Sequence, residues 1–104
     1  MSRLKVHVSD EVKLQITEQV VFITDDSIAN ALAWEGRLLD SLNRLSTFHG
    51  HAVDDEASFR LGRTVRKMVF ERTYLIHYQV NKSAGMVEII NFRHGARLPR
   101  TGEP

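Results

Sequence analysis

Residues 63–97, RTVRKMVFERTYLIHYQVNKSAGMVEIINFRHGAR, limit what this chain can fold into more than any other stretch. Tyr74, Ile76, Tyr78 and Val80 alternate with Leu75, His77 and Gln79. A period of two sends alternate side chains to one side, which marks a strand with one face on a core. Residues 65–70 and 86–92 read as strands on either side of it, rich in β-branched and large apolar residues. The connections are Glu71-Arg72-Thr73 and Asn81-Lys82-Ser83-Ala84-Gly85, where Gly85 supplies a residue for positive φ. Strands joined so closely pair antiparallel, because a parallel return needs a crossover of about a dozen residues. The last strand has apolar residues at both parities, Val87 and Ile89 against Ile90 and Phe92, which predicts partial burial on both sides. Arg93, His94, Gly95, Ala96 and Arg97 then carry the chain off the sheet, and residues 99–104 are expected to be disordered.

Ahead of this stretch the period changes. Leu4, Val6 and Val8 alternate with Arg3, Lys5 and His7, a short strand over residues 4–8. Ser9 and Asp10 offer capping oxygens, and Val12, Ile16, Val20 and Ile23 then fall on one face of a helix over residues 10–24. Thr24-Asp25-Asp26-Ser27 breaks that helix and caps the next, residues 27–45. Its stripe is Ile28, Ala31, Leu32, Leu38, Leu39, Leu42 and Leu45, with Trp34 off the stripe. So short a break predicts a helical hairpin. Residues 46–59 show no period and read as a loop. His49 and His51 stand there near Asp54, Asp55 and Glu56, but a His-x-His pair in a loop lacks the fixed supporting hydrogen bonds that metal sites use. No metal and no cofactor is expected.

The predicted order is β-α-α-β-β-β in one α+β domain over residues 1–104, with the helical hairpin packed on one face of a mostly antiparallel sheet. The chain has no cysteine, which excludes disulfides and thiolate metal sites and suits a reducing compartment. It has no apolar run near the ~20 residues that span a bilayer. No membrane partner is expected, and the start lacks an apolar signal core, so a cytoplasmic location is expected. Charge is uneven: from residue 60 onward nine Arg and Lys face three Glu, whereas five basic residues face ten acidic ones before it. Such asymmetry points to an acidic partner or nucleic acid for the second half, or to two halves that neutralise each other where they pack.

The order of elements resembles the RelE/ParE superfamily of toxins of type II toxin–antitoxin (plasmid stabilisation) systems, over residues 4–99. Three features carry the likeness: the hairpin end Leu42-Asn43-Arg44-Leu45-Ser46-Thr47-Phe48, the pair Val65-Arg66-Lys67-Met68-Val69-Phe70 and Tyr74-Leu75-Ile76-His77-Tyr78-Gln79-Val80, and the exit Arg93-His94-Gly95-Ala96-Arg97. The exit is most similar to the ParE branch. The resemblance implies a protein poison held inactive by a cognate antitoxin, an acidic segment that folds on binding. ParE-like members block DNA gyrase; RelE-like members cut messenger RNA on the ribosome. Nuclease members place an arginine early in the penultimate strand, where this chain has Leu75, and ParE-like members often carry arginine at the positions of Leu75 and Gln79 and proline at that of His49.

The likeness gives the expected site. Arg66, Lys67, Arg93, His94 and Arg97 are the candidate target-binding residues, gathered at one end of the sheet. In a gyrase-binding protein none is catalytic; in a RelE-like nuclease, His94 does acid–base work and Arg93 and Arg66 hold phosphate. Leu14 and Trp34, outside the main stripes, are the candidate antitoxin contacts. The resemblance is also compatible with a toxin homodimer and with a degenerate, non-toxic family member.

Overall fold

The computed structural model describes residues 3–95. Its elements run β1 (Lys5–Val8), α1 (Asp10–Thr24), α2 (Ile28–Asn43), a 3-10 turn (Arg44–Ser46), α3 (Asp55–Leu61), β2 (Arg66–Phe70), β3 (Tyr74–Asn81) and β4 (Met86–His94). The fold is α+β: three helices with a four-stranded mixed sheet in the order β1-β4-β3-β2. β2 and β4 flank β3 antiparallel, and β1 lies parallel to β4. The expected tail and the residue Arg97 lie outside the described residues.

Both hairpin helices start on a serine. Ser9 accepts the Val12 N–H at 3.2 Å and Ser27 accepts the Asn30 N–H at 3.1 Å, each satisfying a donor that the first helical turn leaves unpaired. Asp10 and Glu11 sit in the first turn of α1, where the helix dipole favours negative charge. Val12, Ile16 and Gln19 are buried, with Val20 and Ile23 packed partly against the core.

The stripe of α2 divides. Ala31, Trp34, Leu38 and Leu42 are the buried residues, one helical face at steps of three and four. Ile28, Leu32 and Leu39, expected on the same stripe, are 66, 63 and 47 % exposed. Trp34, expected at the edge as a partner contact, is only 4 % exposed and is instead the hub of an aromatic cluster. Its ring lies 6.0 Å from Phe70, 5.2 Å from Tyr74 and 6.0 Å from Phe92, and Tyr74 stacks on Phe92 at 5.4 Å. The helix carries more apolar residues than one face can bury, so the roll of α2 decides which sink. A ring with three aromatic neighbours buries more area than a leucine would in its place. Among the described residues the indole Nε1 meets no hydrogen-bond partner, so the cluster holds Trp34 by area and ring contacts.

β4 shows why both parities looked apolar. Tyr78 pairs with Ile89 and His77 with Asn91, so Ile90 is an extra residue, a β-bulge. The bulge changes the phase: Val87 and Ile89 face the core before it and Phe92 after it, while Ile90 is half-buried. The strand thus keeps one core face through a phase change, while Met86, Glu88, Ile90 and Asn91 are half-buried, the partial burial on both sides that the two apolar parities predicted. Gly95 ends it; its N–H bonds the Thr73 carbonyl so closely that a Cβ at Gly95 would collide with that oxygen.

The expected loop over residues 46–59 contains α3. Asp54 caps it through the Ala57 N–H at 3.1 Å, and Gly62, at φ 70°, closes it with its N–H on the Ser58 and Phe59 carbonyls. Seven residues with only Ala57 buried leave no apolar period to detect. The β2–β3 turn places Glu71 and Arg72 at φ 52° and 63°, a left-handed pair normally given to Asn and Gly. Glu71 is held there by Arg37 of α2 at 2.5 Å.

Two measurements check this packing. Trp34→Ala is expected to cost ~3–5 kcal/mol in denaturant unfolding, and Trp34→Phe less than half of that, because it keeps the ring contacts and removes the unpaired N–H. Arg72→Gly is expected to raise stability by about 0.5–1 kcal/mol, since glycine relieves the left-handed strain at some entropic cost.

Candidate functional site

Residues 49–54 run along the free edge of β2 and are tied to both faces of the sheet. Ala52 accepts the Lys67 N–H at 3.0 Å and Asp54 donates its N–H to Val65 at 2.8 Å, a single bridge that covers the first residues of β2. On the helix-covered face, the Tyr78 hydroxyl accepts the His51 N–H at 3.1 Å and meets His51 Nδ1 at 2.8 Å. Placing the hydroxyl hydrogen on Nδ1 satisfies every group of this contact and assigns the proton of the neutral ring to Nε2. Arg66 Nη1 donates to the His51 carbonyl at 2.6 Å. Burial, then the nearby Arg66 charge, lower the His51 pKa, and burial raises that of Tyr78.

On the other face, His77 is buried between two partners. Its Nε2 lies 2.8 Å from Asp54 Oδ2, and its Nδ1 lies 3.1 Å from Asn91 Nδ2. The amide donates and the carboxylate accepts, which assigns a proton to Nε2 and none to Nδ1. With both nitrogens engaged, His77 anchors the cap of α3 to the sheet and offers no lone pair for acid–base work. The Ala57 N–H, followed by the His77 hydrogen bond, lowers the Asp54 pKa.

The expected cluster does not gather. Arg66 pairs in register with Tyr78 at one end of the sheet, whereas His94 pairs with Tyr74 near the other. Four residues of strand separate those rows, about 13 Å. The His94 ring sits edge-on to Tyr74 at 5.1 Å. Lys67 and Arg93 alternate to the outer face, Lys67 opposite His77 and Arg93 opposite Leu75. Arg66 and Arg93 therefore lie on opposite faces and at different rows. Leu14 is 61 % exposed on α1, as a contact residue needs to be, while Trp34 is in the core.

The topology collects a different set of cations. β2 begins opposite Tyr78, three residues before β3 ends, so Arg66 lies toward the end of the sheet that carries Lys82. A groove of about 510 Å³ lies there, lined by Thr64, Arg66, Gln79, Val80, Asn81, Lys82 and Ser83. Lys5 joins the same end, since its N–H bonds the Gly85 carbonyl at 2.9 Å. An antiparallel hairpin over residues 65–81 was readable in the sequence; the groove that Arg66 and Lys82 share was not. His49, tied by Nδ1 to the Leu45 carbonyl at 2.9 Å, and His51 hold the chain in place, and among the described residues no three His, Asp or Glu converge on a metal position. No helix among the described residues is long and apolar enough to cross a membrane.

No family model matches the chain, and no curated protein matches it either.

Acid should loosen the 49–54 segment in two stages. The lowered His51 pKa means that the unfolded chain takes up its proton first, so stability falls as pH drops below about 6.5. The lowered Asp54 pKa contributes stability that is present above about pH 4 and is lost as pH falls through the folded-state value. Urea unfolding from pH 8 to pH 3 is expected to show both declines; His51→Gln should remove the upper one and Asp54→Asn the lower.

Proposed function

We propose that this protein is the toxin component of a type II toxin–antitoxin system of the ParE-like kind, which acts by binding DNA gyrase and is neutralised by an antitoxin segment. The observation that carries the reading is the apolar side of the helical hairpin. Leu14, Val21, Ile28, Leu32 and Leu39 are 61, 58, 66, 63 and 47 % exposed there. A helical hairpin with a full core beneath and five large apolar residues above has a surface suited to a partner. An antitoxin that is disordered alone and folds as an amphipathic segment would cover it.

Binding, rather than RNA cleavage, is supported by the spread of the basic residues. A nuclease needs its cations and its acid–base group around one phosphate. Arg66 and Arg93 stand on opposite faces, His94 packs on Tyr74, and the strand position of Leu75 carries no charge. Gyrase engagement falls to the outer sheet face, where Lys67 and Arg93 lie.

The neutralising partner is tested by co-expression with the product of the adjacent gene. The two should co-purify, and Leu32→Glu should abolish the complex while changing stability by no more than about 0.5 kcal/mol. A full-strength complex with that variant would show that the hairpin is not the contact. The target is tested by DNA supercoiling with purified gyrase, where wild-type protein should inhibit and Arg93→Ala with Lys67→Ala should not. Full supercoiling at high protein excess would remove gyrase as the target.

A further inference from the structure

The groove between α1 and the end of β4 holds a buried amide with nothing to bond. β1 stops at Val8, opposite Ile89, so the last residues of β4 have no strand on that side. Gln15 of α1 stands in for one: its Oε1 accepts the Phe92 N–H at 3.1 Å. One turn further along α1, Gln19 is only 8 % exposed. Among the described residues its side chain makes no hydrogen bond. An unpaired buried amide opposes folding, so its presence calls for a reason.

The surroundings of Gln19 supply one. Gln15, Glu18, Gln19 and Phe22 stand at i, i+3, i+4 and i+7, a single face of α1. With Phe92 and Arg93 they line a cavity of about 550 Å³, within the range of small-ligand sites. Gln15 has spent its oxygen but keeps the two donors on its nitrogen, and Gln19 keeps donors and acceptor alike. Phe22 is 61 % exposed and offers an apolar wall. Glu18 on the helix and Arg93 on the strand are exposed and opposite in charge, yet among the described residues neither forms an ion pair. The cavity thus has an anionic side, a cationic side and a free amide.

A ligand that uses all three carries both charges with an amide between them. The complement of a carboxamide is a peptide group, whose N–H meets the oxygen and whose C=O meets the nitrogen. The planar peptide unit holds the Cα atoms beside it about 3.8 Å apart, so the two ends of a dipeptide reach separate walls. We propose that this groove binds a short peptide with free termini, its ammonium on Glu18, its peptide group on Gln19 and its carboxylate on Arg93. The guanidinium meets the carboxylate with two parallel donors, and the Phe22 ring covers an apolar side chain of the peptide. The site is independent of the toxin reading, because neither the five exposed apolar residues of the hairpin nor Lys67 takes part in it.

Isothermal titration calorimetry with the dipeptide alanyl-leucine tests this at low ionic strength. Its N-acetyl form lacks the ammonium and its C-terminal amide lacks the carboxylate; each should bind about tenfold more weakly or worse. Glu18→Gln should weaken the free dipeptide but not the N-acetyl form, and Arg93→Gln should weaken the free dipeptide but not the C-terminal amide. Gln19→Leu should abolish binding while the urea midpoint holds or rises, because an apolar side chain of similar size removes the unpaired amide. Lys13→Gln, exposed on α1, should bind as wild type. If Gln19→Leu fails to fold, Glu18→Gln with the two capped peptides decides. The proposal is overturned if the dipeptide does not bind at millimolar concentration, if either capped form binds as tightly as the free one, if folded Gln19→Leu or Glu18→Gln binds as wild type, or if Lys13→Gln weakens binding equally.

Discussion

Tyr78 has no solvent exposure, yet it carries a hydroxyl that must find a partner. His51 supplies both halves of the answer, an N–H to donate and a bare Nδ1 to accept. That contact holds the 49–54 segment against the first residues of β2. Asp54 then reaches His77 on the far face, and the same carboxylate starts α3. One buried phenol therefore governs how the sheet edge is covered, where α3 begins and where the His51 carbonyl points. That carbonyl in turn fixes Arg66.

The helices obey a different constraint. Their inner faces are closed by Trp34 and its neighbours Phe70, Tyr74 and Phe92, a cluster that links α2 to all three antiparallel strands. Once the large ring is inside, Ile28, Leu32 and Leu39 have no place in the core. The core and the outer apolar surface of the hairpin are thus two results of one rotation of α2. Burial of the ring stabilises the fold, and the surface it leaves is what the proposed partner covers.

Charge is divided by strand alternation and by the ends of the sheet. Neighbouring cations in sequence, Arg66 and Lys67, go to opposite faces. Distant ones, Arg66 and Lys82, line one groove because an antiparallel hairpin brings the last residues of β3 past the start of β2. Arg93 and His94 are separated from both by the length of the sheet. Among the described residues Arg66 makes no ion pair, and Asp54 is committed to His77 and to the cap of α3.

The sequence by itself determined the α+β class, the two capping stretches, the hairpin of helices and four strands within a residue or two of their bounds. Periods of two and near 3.6, with local capping chemistry, are properties of adjacent residues and can be read without a fold. It left α3 unseen because a single buried alanine makes no period, although Asp54 and Gly62 mark both ends. It could not place the phase change between Ile89 and Phe92, because a bulge is a property of strand pairing. Only the tertiary structure decided that Trp34 lies inside and Leu32 outside, for a helix with surplus apolar residues has no preferred roll until the sheet is present. Only it decided that His77, the middle of a strand, is an anchor for a loop, and that Arg66 shares a groove with Lys82 and lies on the face opposite Arg93. Those pairings join residues far apart in the chain, and the burial that orders them exists only once the layers have closed.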